Sequence, residues 1–174
     1  MSDMPLILRL PSSEDEANAI AGHCQMIRDP FVDFLLDYRP GEPFADWVER
    51  VNGVSLGLHC PEPWVRGEFL FMEADGYLVG RVWIRFKPEG RMAELEGHLG
   101  YVVLPAFRRR GYASQALRDA LARLHRERVE TAVVTCDEAN RASIALLEGA
   151  GASFERMATV HGTSRRRYLL ATSP

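Results

Sequence analysis

At 174 residues, 47% hydrophobic and 26% charged, the chain has the size and composition of one folded domain that buries a core without disulfides or metals. Its formal net charge of −3 and pI near 6.0 argue against a dedicated nucleic-acid binder, which carries a basic excess. Cys24, Cys60 and Cys136 are odd in number, widely spaced and form no CxxC pair, which speaks against a disulfide framework or a zinc site and suits a reducing cytoplasm. The opening MSDMPLILRLPSSEDE carries acids early and only a short apolar run, unlike a signal peptide or a membrane helix, so a cytoplasmic protein with no membrane partner is expected.

In chain order, Leu6 to Leu10 reads as a first strand, and Ser13 with Glu16 has capping-box spacing before a helix over Ala17 to Ile27. Between Pro30 and Gly57, Phe31, Phe34, Leu35, Phe44, Trp47, Val48 and Val51 recur at helical intervals around Pro40, Gly41 and Pro43, which predicts a short helical pair. The pattern then turns to β: Glu68 to Ala74, an Asp75-Gly76 hairpin signal, Tyr77 to Phe86, a Pro88-Glu89-Gly90 turn and Ala93 to Leu104, a three-strand antiparallel meander. Ala113 to Arg128 places Ala113, Ala116, Leu117, Ala120, Leu121 and Leu124 on one helical stripe. Thr131 to Cys136 is a short apolar strand of the kind covered on both faces, in which Cys136 packs. Asn140 caps a helix to about Glu148, ended by Gly149 and Gly151. Strand, helix, strand order implies a parallel pairing across the long helix, and Ser153 to His161 with Arg165 to Ala171 reads as a closing hairpin around Gly162. No repeat or linker divides the chain.

The chemistry concentrates in GYVVLPAFRRRGYAS, Gly100 to Ser114. A basic loop here feeds a helix whose first turn has free N–H groups and the positive end of the dipole, a ready site for a phosphate or pyrophosphate. Gly111 and Ala113 keep bulk away from the main chain, and the three arginines add long-range attraction. The chain contains no GxxxxGK[ST], and no GxGxxG follows a strand, so neither an ATP nor a dinucleotide cradle is evident.

Arg108, Arg109, Arg110, Gly111, Tyr112 and Ala113 match, position by position, the Q/R-x-x-G-x-G/A coenzyme A loop of the GNAT superfamily of N-acetyltransferases, and the element order resembles that superfamily over nearly the whole chain. Asn140, Ala142, Ile144, Leu146, Glu148 and Gly151 resemble its second signature, and Gly97-His98-Leu99-Gly100-Tyr101 looks like a bacterial branch with mostly unassigned acceptors. The resemblance implies one N-acetyltransferase domain over residues 1–174, of α/β (α+β) class, with a mixed, mostly antiparallel sheet of six to seven strands and about four helices. It implies acetyl-coenzyme A as cosubstrate without a metal, and a small-molecule or peptide amine as acceptor. It further implies that Val102, Val103 and Leu104 offer main-chain groups to the pantetheine, that the amides from Arg109 to Ser114 hold the pyrophosphate, and that Asn140 touches the coenzyme arm. A homodimer is among the expectations, because the superfamily often pairs.

An amine attacks a thioester only when neutral, so a base is needed. Members of the superfamily often carry it on the strand here read from Ala93. On that reading Glu94, Glu96 and His98 share one face, opposite Arg85, Trp83 and Arg81 respectively, and Glu96 and His98 are the candidate bases. Glu94 with Arg85 is expected to be a cross-strand ion pair. The family's tyrosine acid is absent, Leu147 standing in its place; Tyr101, Tyr112, Tyr168, His161 or water are the alternatives. A non-catalytic acyl-coenzyme A binding module is the competing expectation. Arg165, Arg166 and Arg167 read as a solvated strand edge, and Trp47, Trp64 and Trp83 as packing residues that also border an acceptor pocket.

Overall fold

In the computed structural model, which describes residues 5–29, 33–60, 62, 64–160 and 162–173, seven strands form one sheet. The strands are β1 (Ile7–Arg9), β2 (Gly67–Ala74), β3 (Tyr77–Arg85), β4 (Leu99–Val103), β5 (Thr131–Asp137), β6 (Ser153–Val160) and β7 (Thr163–Ala171), in the order β1-β2-β3-β4-β5-β7-β6. All neighbours pair antiparallel except β4 with β5, the parallel pair expected across the long helix. The helices are α1 (Glu16–Met26), α2 (Phe44–Ser55), α3 (Gly90–Leu95), α4 (Tyr112–Arg126) and α5 (Arg141–Gly149).

Each face of the sheet is covered by two of the longer helices. Against one face, α4 sets Ala116, Leu117, Ala120 and Leu124 and α5 sets Ile144 and Leu147 over Val82, Ile84, Leu99, Val134 and Tyr168. Against the other, Ala19 and Met26 of α1 and Phe44, Trp47 and Val51 of α2 pack on Phe69, Phe71, Trp83 and Val102. The helical stripe read from the sequence is therefore the buried one on α4, with Leu121 at its margin. Cys136 is buried in this packing, which pushes its thiol up to about 11 and leaves it unreactive.

Three local expectations need correction. The cap before α1 lies one residue earlier than read, with the Asp15 carboxylate accepting from the Ser12 N–H at 2.8 Å, after which a 3-10 turn over Ser13–Asp15 leads into the helix. The helical pair is one helix, α2; the described residues before it, 33–43, form turns, because Pro40 and Pro43 lack the N–H and disfavour helix at the residue before them, and Gly41 turns the chain at φ 86. Phe34 and Leu35 are nonetheless fully buried, and the Trp47 indole donates to Leu36 O at 3.0 Å; Phe31 lies outside the described residues.

The third correction touches the site. Ala93 to His98 is not strand: Gly90–Leu95 is α3, and only Leu99–Val103 continues the meander as β4. Met92, Ala93, Glu94 and Leu95 are good helix formers, and Gly97, at φ 65, ends the helix with its N–H donating to Met92 O at 3.1 Å. Trp83 accordingly stands opposite Gly100 and Arg81 opposite Val102. Glu94 pairs with Arg156 of β6 and not with Arg85.

A Cβ at position 97 would lie 2.3 Å from Val133 O in a backbone conformation that L side chains rarely adopt. Gly97→Ala is expected to destabilise the fold by at least about 2 kcal/mol in urea unfolding, and an unchanged midpoint would show that this turn is not held as described.

Among the described residues, no helix is long and apolar enough to cross a membrane, and no group of three or more His, Cys, Asp or Glu side chains is placed to hold a metal ion.

Candidate active site

β4 and β5 share a single ladder position, Leu99 with Val134, preceded by a bridge between Gly97 and Val134. His98 closes this end: its N–H donates to Val133 O at 2.7 Å while its ring Nδ1 accepts from the Val133 N–H at 3.0 Å. Beyond Leu99 the two strands are no longer paired.

Into this opening runs a cavity of about 760 Å³, bounded by Tyr101, Val102 and Val103 of β4, by Phe107, Arg108, Arg109 and Gly111, by the first turn of α4 at Tyr112, Ala113 and Ser114, and by Asn140 to Ser143, Ala145 and Leu146 of α5. Nine of the residues expected to hold a coenzyme therefore border one cavity, although they come from three elements separated in sequence. Leu104 and Arg110 do not border it.

Alternation along β4 determines which main-chain groups face the opening. His98 O accepts from Arg85 N at 2.8 Å and Leu104 N donates to Val79 O at 2.9 Å, so the even-numbered residues direct their groups at β3. Val102 and Leu104 are thus engaged within the sheet, contrary to the expectation for them. Val103 faces the opening, and so does Tyr101, which spacing alone did not single out.

The loop after β4 is shaped by Arg109 at φ 65 and by Gly111 at φ 84, the N-cap of α4. Only glycine adopts that N-cap conformation without strain, and the first bond of the helix, Gln115 N to Gly111 O at 3.1 Å, leaves the earlier amides free. The three arginines divide their work. Arg108 ties the loop down, donating from Nε to Val103 O at 3.1 Å and approaching Asp29 at 3.4 Å. Arg110 lies over the Phe107 ring, 5.6 Å from its centre, and donates to Ala106 O. Arg109 borders the cavity, and among the described residues nothing pairs with its guanidinium. Across the cavity, Asn140 Oδ1 caps α5 by accepting from Ser143 N at 3.1 Å.

Of the candidate acids, Tyr101 borders the cavity with its hydroxyl 3.3 Å from Ser143 Oγ, and burial pushes it up to about 12. Tyr112 is buried against α4's core, and Tyr168 donates to Glu148 Oε1 at 2.9 Å from within the sheet. His161 lies outside the described residues. Leu147 is wholly buried, so the α5 surface facing the cavity carries Ser143 but no tyrosine.

Glu96 and His98 do not border this cavity and do not share a strand face. Glu96 caps the end of α3, with its half-exposed carboxylate 3.4 Å from Arg85 Nη1. Burial, helped by Arg85 and Arg167, holds the His98 imidazole below its ordinary value. The unfolded imidazole therefore takes up its proton first on acidification, and the stability owed to the neutral ring is present above about pH 6.5 and lost as pH falls through the folded value. In chemical unfolding, the stability advantage of the native chain over His98→Asn is expected to shrink as pH falls below about 6.5, and a constant difference down to about pH 5 would contradict it.

Known proteins share the fold. The model of the acetyltransferase (GNAT) family matches residues 32–152. Among solved structures, a GnaT-family acetyltransferase from Bordetella pertussis is 19% identical, with 98% of each chain covered and a TM-score of 0.69. RimJ of Mycobacterium smegmatis, solved with CoA-disulfide, is 17% identical over 97% of this chain and 83% of its own, with a TM-score of 0.73. The acetyltransferase yncA of Salmonella typhimurium, solved with acetyl-CoA, is 15% identical over 97% and 94%, with a TM-score of 0.65. No curated protein matches the chain in sequence. With the family's model matched across most of its length, on a sheet that opens between β4 and β5 against the N-terminus of α4, this chain belongs to the GNAT family of acetyltransferases and is an acyltransferase.

Proposed function

We propose that the chain transfers the acetyl group of acetyl-coenzyme A to a primary amine by direct attack within a ternary complex. The observation that carries this reading is the single cavity shared by the β4 edge, the Gly111 cap and the Asn140 helix, with Arg109, unpaired among the described residues, beside it. The residues fit the coenzyme: free amides from Tyr112 to Ser114 and the positive end of α4 suit a pyrophosphate, and the outward main-chain groups of Val103 suit an amide-bearing arm. Arg109 supplies charge to the same phosphates. Asn140 orients α5 through its cap and keeps its amide nitrogen for the arm. The thioester supplies an acetyl group activated for transfer.

The Tyr101 N–H faces the opening and is placed to stabilise negative charge developing on the carbonyl oxygen, a contribution of about 3 kcal/mol from one preorganised donor. The amine lone pair attacks the carbonyl carbon, forming a C–N bond as the C–S bond breaks; the electron pair leaves on sulfur, and the amine's proton passes to a base. Glu96 is that base, directly or through one water, because its carboxylate is half exposed and it stands two residues before His98, which closes the β4–β5 end. His98 is a positioning residue: the lone pair that would accept the proton is already used on the Val133 N–H. The Tyr101 hydroxyl stays protonated at neutral pH and offers a hydrogen bond toward the leaving sulfur, which takes its proton from water.

Free-thiol release from acetyl-coenzyme A, assayed with a panel of amino acids, peptides, polyamines and aminoglycosides, tests this reading. Release that depends on an amine, with an N-acetyl product by mass, is the expected result; coenzyme binding without transfer to any amine would overturn it.

A further inference from the structure

The face of β3 that carries Arg81, Trp83 and Arg85 is rich in hydrogen-bond donors and poor in acceptors. The three side chains alternate onto the same side as α1 and α2, with exposures of only 8%, 3% and 6%. Main-chain carbonyls take part of their capacity: Arg81 donates to Asp33 O, to Phe34 O at 3.3 Å and to Gly100 O at 3.2 Å, and Arg85 to Gly97 O at 2.7 Å and Glu96 O at 3.1 Å. Among the described residues the one carboxylate within ion-pair distance of them is Glu96, 3.4 Å from Arg85 Nη1 and itself 51% exposed, while the Asp33 carboxylate attracts Arg81 from farther off. Trp83 Nε1 is buried with no partner among the described residues.

Buried cations without matching anions are costly, and so is a buried donor left unmade. Burial pulls both guanidiniums down to about 10, which still leaves them cationic at neutral pH. Arg165 of β7 adds a third cation, near enough to Arg85 to repel it, and its Nε is also buried without a partner. The two arginines do hold the 33–34 turn and the Glu96–Gly97 turn, but with Glu96 half exposed and Asp33 outside ion-pair distance their charge is only partly compensated, and none of these bonds engages Trp83.

Two of these side chains flank a loosely packed spot over Gly100. Gly100 is the cross-strand partner of Trp83 and is only half-buried. Among the described residues, a methyl built on Gly100 would meet within 4 Å only Arg81 Nη1 at 3.5 Å and Arg85 Nη2 at 3.9 Å. A small group placed there lies between two guanidiniums, one residue from the Tyr101 N–H at the sheet opening and on the opposite face of the sheet from α4 and α5.

We propose that the space over Gly100, bordered by Arg81, Trp83 and Arg85, binds a carboxylate of the acceptor, so that the substrate is a small amine with a carboxylate close to its amino nitrogen, as in an amino acid. This specifies the acceptor of the acetyl transfer proposed above and rests on that reading. A carboxylate on Arg85 also replaces Glu96 as its counter-ion, so substrate binding frees the base.

Two measurements test it, and the first needs no turnover. The indole N–H signal of Trp83, assigned through Trp83→Phe, is followed by NMR while N-acetylalanine, its carboxamide or inorganic phosphate is added to about 10 mM, enough to detect millimolar binding. A saturating shift with N-acetylalanine and none with the carboxamide is expected. Gly100→Ala, whose methyl meets its neighbours at ordinary contact distances, is expected to keep the unfolding midpoint and abolish the shift. A response to phosphate alone would overturn the carboxylate in favour of a phosphate-bearing amine, and no response to any anion would overturn the site. In the second measurement, amino acids are compared with their decarboxylated amines as acceptors. A preference of at least about 30-fold in kcat/KM for the acid form, reduced in Gly100→Ala through KM, is expected. Equal transfer to both forms would sink the carboxylate site and leave the acetyl-transfer reading standing. Should no amine be acetylated, it is the transfer reading that fails, and the NMR titration still decides the site.

Discussion

Gly111→Glu is expected to raise the Kd for coenzyme A by at least about 100-fold in calorimetry, a loss of roughly 2.7 kcal/mol. Position 111 is the N-cap of α4 at φ 84, and a Cβ there has Gln115 Nε2, at 4.0 Å, as its nearest neighbour among the described residues. The lesion is therefore not a clash within the protein. A carboxylate at this cap competes for the free amides of the first helical turn and repels the pyrophosphate they would hold. Gly111→Ala separates this from backbone strain: it shares the unfavourable left-handed conformation, at about 1–2 kcal/mol of fold stability, but adds no charge. Its Kd is expected to stay within a few-fold of the native value. Equal loss in both variants would assign the effect to loop distortion, and no loss in either would remove the coenzyme from this cavity.

Glu96→Gln should lower kcat by about 10²- to 10⁴-fold, the usual range for a general base, while the Kd for coenzyme A stays unchanged because Glu96 lies outside the cavity proposed for it. The acidic limb of the pH–rate profile should disappear with it. His98→Asn is the necessary contrast. Its amide oxygen can replace Nδ1 as acceptor for Val133 N–H, so the sheet closure is retained and the pH profile of turnover should keep its shape. If His98→Asn abolishes the acidic limb and Glu96→Gln does not, the roles assigned to the two residues are exchanged.

The segment Gly100 to Ser114 was legible because its chemistry is local. A glycine at a helix cap, small residues in the first turn and basic residues before it are all set by adjacent positions. The hairpin at Asp75-Gly76, the stripe on α4 and the Asn140 cap share that locality, and each lies where it was expected. The base strand was misread for a related reason. Glu94, Glu96 and His98 alternate like a strand over five residues, yet helix-forming neighbours and Gly97 favour one short helix, and so short an alternation does not outweigh them. Every cross-strand partner inferred from that alternation moved with the error.

Sequence alone determined the basic, glycine-capped loop, most of the strands and helices, and the closing hairpin, since these follow from turn chemistry and from periodicity within single elements. Tertiary structure alone decided which residues of β4 face the opening, because that parity depends on where β4 meets β3. It also decided that His98 joins β4 to β5 while Glu96 stands beside Arg85, and that Arg81 and Arg85 flank Gly100, opposite a Trp83 whose N–H has no partner among the described residues. Pairing across strands and loss of water at a buried cation depend on residues far apart in the chain, and no pattern along one strand encodes them.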